Sequence, residues 1–233
     1  MRVARWLLIL AVGIAGCSRA GAPSSGAVPA RLRLFLLAGQ SNMAGRGTVN
    51  APDRLEHPRV LMLNRSREWI PAAEPMHFDK AIAGVGPGRA FGLAIAEADG
   101  ASAIGLIPAA VGGSPIASWE PGALDGPTAT HPCDDAIARA RAAMTSGTLE
   151  GILWHQGEWG AAKTRVDSVH RALASSMENV LFVSSEELTD KGDTLHFDAP
   201  SARELGRRYA EAFLSLRRPS LQRGTERSPL RPE

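Results

Sequence analysis

The stretch Leu32-Arg-Leu-Phe-Leu-Leu-Ala-Gly-Gln-Ser-Asn-Met-Ala-Gly45 decides how the rest of the chain reads. Its first six residues form an apolar run, interrupted once by Arg33 and bounded by Gly39. A short, nearly continuous apolar run suits a strand buried on both faces, as in a parallel sheet covered by helices. Further runs at 60–63, 103–107, 151–154 and 180–183 repeat the pattern, each ending in small or polar residues.

Helical patterns lie between the runs. Residues 90–98 form one, and 134–144 is Ala-rich and suits a helix starting at an acidic cap. Val166, Val169, His170 and Leu173 share a helical face. Pro200-Ser-Ala-Arg-Glu204 carries a capping-box pattern, which predicts that Ser201 bonds the Glu204 amide. Leu205, Tyr209, Ala212, Phe213 and Leu216 then follow on one face. Strands alternating with helices predict a three-layer α/β/α fold with a mostly parallel central sheet. Ligands in such folds bind beyond the carboxyl ends of the strands, so the residues after each run are the ones to question.

The composition agrees. At 233 residues, 44% apolar and 21% charged, the chain is globular, which excludes wholesale disorder, collagen and coiled coil. Two cysteines cannot make a disulfide framework. The formal charge of +2 is uneven: residues 1–30 carry +3, residues 217–233 carry +3, and the body at 31–216 carries −4. A mildly acidic body argues against a nucleic-acid surface.

The amino terminus reads as an address. Arg2 and Arg5 precede a ten-residue apolar run from Trp6 to Ala15, too short for a membrane span but suited to a secretory signal. Ile14-Ala-Gly-Cys17 resembles a bacterial lipobox, which implies cleavage after residue 16 and a lipid on Cys17. An ordinary signal is the alternative. The organisation expected is a signal at 1–16, a flexible tether at 17–30, a domain at 31–216 and a disordered basic tail at 217–233. The lipid would hold the protein at the cell envelope, by resemblance to other lipoproteins at the outer membrane facing the periplasm; otherwise it is secreted. Cys133 would then be a free thiol.

Four loops carry polar groups at strand ends. Gly39-Gln-Ser41-Asn-Met places a serine in a glycine-bounded turn entering a helix, where its amide favours a developing oxyanion. It departs from the G-x-S-x-G elbow, because position 43 is Met. Gly112-Gly113-Ser114 lets the backbone approach a ligand and aim an amide at it. Trp154-His-Gln-Gly-Glu158 clusters hydrogen-bonding side chains, which burial makes costly unless they are satisfied or used. In Asp193-Thr-Leu-His196 a carboxylate can reach Nδ1 of the imidazole, leaving Nε2 free as a base. Taken singly, each also reads as structure: a turn, a satisfied histidine, a chance spacing. Gly84-Val-Gly86 is not a dinucleotide fingerprint, since no apolar strand precedes it.

In this order the four loops resemble the SGNH hydrolase superfamily, and within it the branch of sialate O-acetylesterases and carbohydrate esterase family 6 acetylxylan esterases. Gly84-Val-Gly-Pro-Gly88 and Glu204-Leu-Gly-Arg-Arg-Tyr209 also resemble that branch. The resemblance implies Ser41 as nucleophile, His196 as general base and Asp193 as its orienting acid. It implies an oxyanion hole of the Ser41 amide, the Gly113 amide and the Gln156 side chain. Gln40, Asn42, His155 and Glu158 would bind substrate or support these groups. His57, His77, His131 and His170 are left as structural or exposed. The implied mechanism is two-step acyl transfer from acetylated carbohydrate, needing neither metal nor organic cofactor.

The chain departs from the family after Glu158. Only 34 residues separate Glu158 from Asp193, which implies a domain lacking one strand–helix unit. The gap reads three ways: a real deletion with the remaining elements closed up, a sequence missing a segment, or a chain that has lost catalysis. A removed strand leaves an exposed sheet edge. The functional expectation is therefore a carbohydrate O-acetylesterase. The alternatives are a non-catalytic glycan-binding lipoprotein and an SGNH esterase acting on a non-sugar ester. Oligomeric state is not legible.

Overall fold

The run at 32–37 becomes the centre of a sheet. In the computed structural model, which describes residues 31–157 and 162–217, β1 (Leu32–Gly39) lies between β4 (Ile104–Pro108) and β5 (Gly147–His155), parallel to both. β2 (Val60–Leu63) pairs in parallel with β4, and β3 (Trp69–Pro71) adds an antiparallel edge, giving the order β3-β2-β4-β1-β5.

Successive β1 side chains point to opposite faces, and each face has its own cover. Phe35 and Leu37 meet Phe91 and Ile95 of α2 (Pro87–Asp99) and Phe213 of α5 (Ala199–Arg217). Phe35 meets Phe91 and Phe213 edge-on, with centroids 4.8 and 5.0 Å apart. Leu34 and Leu36 meet Ala136 and Ala140 of α3 (Pro132–Ala143). The result is the three-layer α/β/α fold expected. The Ala-rich face of α3 lets it lie close to the sheet, and α2 achieves the same with Gly92, whose absent Cβ leaves room for Leu106 and Val60.

Several boundaries differ from those expected. α3 begins at Pro132 without a side-chain cap; Asp134 and Asp135 sit in its first turn, where carboxylates favour the helix dipole. The cap of α5 is Asp198, whose Oδ1 accepts the Ser201 amide at 2.8 Å. Ser201 lies inside the first turn and its Oγ instead accepts the Thr189 amide at 2.9 Å. Aspartate before Ala-Pro is the better cap, because proline is tolerated in a first turn.

The run at 180–183 is not a strand. Its neighbourhood is tied to α5 rather than to a sheet: Arg208 Nη1 donates to the carbonyls of Ser184 and Glu186 at 3.0 and 2.9 Å. Phe182 stacks under the Arg171 guanidinium, 4.0 Å away, from α4 (Ala162–Ser176). β5 therefore ends the sheet, and Ile152 on it is 60% exposed. The apolar face expected on α4 exists but is not buried, with Val169 and Leu173 exposed. The segments at 1–16 and 17–30 lie outside the described residues, as does the tail beyond Arg217, which ends α5.

Candidate active site

Three strand ends converge. β1 delivers Ser41, β4 leads into Gly112 and Gly113, and β5 ends at His155 and Gln156. Gly39 has φ +121°, and a Cβ there would sit 2.0 Å from the His155 carbonyl oxygen, so only glycine fits between β1 and β5. The Gln40 amide then donates to that carbonyl at 2.9 Å, fixing where the turn begins. Ser41 opens α1 (Ser41–Ala44) and is 6% exposed. At four residues α1 is one turn, so its dipole is slight and local amide donors matter more.

Ser41 Oγ lies 3.1 Å from His196 Nε2, and His196 Nδ1 lies 2.7 Å from Asp193 Oδ2. The backbone amide and then the side chain of His196 hold the Asp193 carboxyl well below the usual carboxylate range. An ionised carboxylate can only accept, so Nδ1 carries the proton between them and Nε2 presents its lone pair to the Ser41 hydroxyl. The other carboxylate oxygen accepts the amides of His196 and Leu195 at 2.7 and 3.1 Å. Thr194 between them holds φ +58°, an uncommon state for a β-branched residue. Its amide is held by Asp190 Oδ1 at 3.0 Å. Lys191 Nζ stands 3.6 Å from Asp193 Oδ2.

Asn42 joins the serine turn to the histidine loop. Its Nδ2 donates to the Leu195 carbonyl at 3.1 Å and its Oδ1 accepts the Phe197 amide at 3.0 Å. His155 sits beneath the same loop, 5.7 Å from the Phe197 ring, with Nδ1 2.8 Å from the Tyr209 hydroxyl. Burial pushes its pKa down to about 4, so it is neutral near neutral pH. Gln156 Nε2 donates to the Ser114 carbonyl at 3.1 Å, tying the end of β5 to the glycine turn. Its Oε1 is buried with no hydrogen-bond partner among the described residues. Gly113 has φ +79°, and among the described residues its N–H has no protein partner.

The structure thus brings together Ser41, Asn42, Gly113, His155, Gln156, Asp193 and His196. Gln40 contributes through its backbone, and its side chain does not cap α1. Glu158, expected as a supporting group, and Cys17, expected to carry lipid, lie outside the described residues. Trp119 and Trp154 pack edge-on against each other at 4.8 Å. Arg46 and Asp79 carry no signal in the sequence, since a lone arginine or aspartate has no spacing pattern. A recess of about 240 Å³ lined by Asp53, Glu74, Arg89 and Arg203 lies beside α2 and contains none of the serine–histidine–aspartate chain.

A nucleophile, a base with its lone pair aimed at it, and unpaired amides nearby can carry out acyl transfer. Comparison with known proteins points the same way. The family model for carbohydrate esterase, sialic acid-specific acetylesterase matches residues 31–169 and 160–215. A protein of Arabidopsis thaliana named a probable carbohydrate esterase is 29% identical over 243 residues, covering 78% of this chain and 90% of that one. That alignment is longer than the 233-residue chain itself, so this chain has gaps against its relative. The crystal structure of the same Arabidopsis protein superposes with a TM-score of 0.66 at 25% identity, covering 79% of this chain and 98% of that one. The crystal structure of NanS shares the fold, with a TM-score of 0.58 at 16% identity, covering 81% of this chain and 98% of that one.

Proposed function

Because the chain belongs to the carbohydrate esterase, sialic acid-specific acetylesterase family, we propose that it hydrolyses O-acetyl groups on carbohydrate, with Ser41 as nucleophile, His196 as general base and Asp193 as the group that orients the base. The observation that carries this reading is the continuous hydrogen-bond chain Ser41–His196–Asp193 at the carboxyl end of β1. Ser41 Oγ attacks the acetyl carbonyl carbon while His196 Nε2 takes its proton. The oxyanion meets the Ser41 and Gly113 amides and the Gln156 side chain, each such donor being worth about 3–4 kcal/mol at the transition state. Collapse breaks the bond between the acetyl carbonyl carbon and the sugar oxygen, and that oxygen leaves with the proton from His196. Water, deprotonated by His196, then releases acetate and restores Ser41.

Purified protein is expected to release acetate from p-nitrophenyl acetate, and Ser41→Ala to lower kcat by at least ~10³-fold. Equal rates in the two proteins would overturn the assignment. A rate that depends on a neutral histidine base falls on acidification. His155 adds no limb of its own above about pH 5, because burial keeps it neutral there. Acetylated xylan and O-acetyl sialic acid, assayed side by side, identify the carbohydrate. A non-catalytic glycan-binding role is the second reading, favoured by the gap after β5; acetate release excludes it. The proposal includes an envelope anchor at Cys17 ahead of a tether at 17–30, tested by whether Cys17→Ser abolishes lipid labelling.

A further inference from the structure

We propose that the buried ion pair Arg46–Asp79 is a positioning clamp that sets the separation of the Ser41 turn from the Gly113 turn, and hence of the two backbone amides that meet the oxyanion. This rests on the acyl-transfer reading above. Arg46 follows the serine turn directly, and its Nη1 donates to the Gly45 carbonyl at 2.6 Å. Its Nη2 donates to Asp79 Oδ2 at 3.0 Å. The same Oδ2 accepts the Gly112 amide at 2.8 Å. One path of hydrogen bonds thus runs from the end of α1 through two side chains to the residue before Gly113.

Three observations give this path more than a stability role. Both side chains are only 2% exposed. A buried pair of this kind is weak support for stability, because desolvation offsets the Coulomb gain. Asp79 Oδ1 is also buried without a partner, a cost that a purely structural carboxylate would be selected to avoid. Finally, a Cβ on Gly112 would lie 2.0 Å from Arg46 Nη2 and 2.7 Å from Asp79 Oδ2. The clamp therefore presses directly on the backbone of the glycine turn. With the Gly112 N–H turned inward to Asp79, the turn closes through Gly113 at φ +79° and leaves the Gly113 N–H unbonded among the described residues.

The test compares kcat and KM for p-nitrophenyl acetate with affinity for a boronate, which forms a tetrahedral adduct on serine, in the full chain. Asp79→Asn and Gly112→Ala are expected to lower kcat by about 10–100-fold, to leave KM within about twofold and to weaken the boronate by the same factor as kcat. Since Asp79→Asn strands a buried arginine and can fail to fold, the double variant Arg46→Met with Asp79→Leu is the second arm. It removes both charges and leaves only the Gly112 amide and the Gly45 carbonyl unpaired, so its melting temperature should exceed that of Asp79→Asn while kcat stays low. A double variant with wild-type kcat, or a folded Gly112→Ala with unchanged kcat and boronate affinity, overturns the clamp alone. A wild-type protein that neither hydrolyses the ester nor binds the boronate overturns the acyl-transfer reading and the clamp with it.

Discussion

β1 and the stretch at 162–198 use apolar residues in opposite ways. β1 buries every residue except Arg33 between two helical layers. From 164 to 198 no residue is buried, and Val169, Leu173, Met177 and Leu181 are 42–56% exposed. Yet Ser41 comes from the end of the first region, and Asp193 and His196 from the second. The serine is held by a packed core. The histidine and aspartate are held by hydrogen bonds: Asp190 gathers the amides of Gly192 and Thr194, and Asn42 reaches across from the serine turn. Regions with little buried apolar surface open first. The contrast therefore locates the weak link of the proposed machinery on the side of the base, not the nucleophile.

The sharpest way to break the contrast is to truncate an apolar side chain in each region. Phe35→Ala removes a fully buried ring that meets two others, and is expected to cost about 3–5 kcal/mol. Leu173→Ala, at 42% exposure, is expected to cost less than about 1 kcal/mol. Urea unfolding of both variants reads the difference. Equal losses would mean that α4 is as firmly packed as β1.

Asn42→Ala probes the link between the regions. It removes both bonds to the histidine loop, each worth a net ~0.5–1.5 kcal/mol. Position should suffer most: kcat drops about 10–100-fold and proteolytic cleavage within 177–198 rises, while the unfolding midpoint falls by no more than those two bonds account for. Asn42→Asp keeps the acceptor for the Phe197 amide and loses the donor to Leu195, so its kcat should fall in between. Wild-type kcat in Asn42→Ala would show that the loop holds its own place.

The same contrast explains what could be read from the sequence. β1, β2 and β4 were legible because burial on both faces writes a continuous apolar run. The candidate site residues Ser41, Asp193 and His196 were legible because each stands at a strand end or in a short turn with its partner three residues away. The run at 180–183 misled for a physical reason. Strand identity needs a neighbouring ladder, and Arg208 takes carbonyls just beyond it, which periodicity cannot foresee. β3 was invisible at three residues, two of them exposed. Arg46 and Asp79 lie 33 positions apart, so only the fold pairs them.

The smallest effect is expected at Asp198, where the two regions join. Its Oδ1 caps α5 at the Ser201 amide and its Oδ2 accepts the Thr189 hydroxyl at 2.7 Å, so one carboxylate holds a packed helix and the start of the exposed loop. The Ser201 amide, and after it the Thr189 hydroxyl, lower its pKa in the folded state. A carboxyl whose folded pKa lies below its unfolded value stabilises the fold at pH above the unfolded value. That contribution is lost as pH falls through the folded value. Asp198→Ala should cost about 1 kcal/mol near neutral pH, in the range of a lost cap, and the gap to wild type should close on acidification. Asp198→Asn keeps an acceptor for the Ser201 amide without the charge, so it should recover most of the loss and remove the pH dependence of the difference. Urea midpoints at about pH 7 and about pH 3 separate these outcomes. A deficit in Asp198→Ala that persists unchanged at the lower pH would mean that the carboxylate's charge plays no part in joining the helix to the loop.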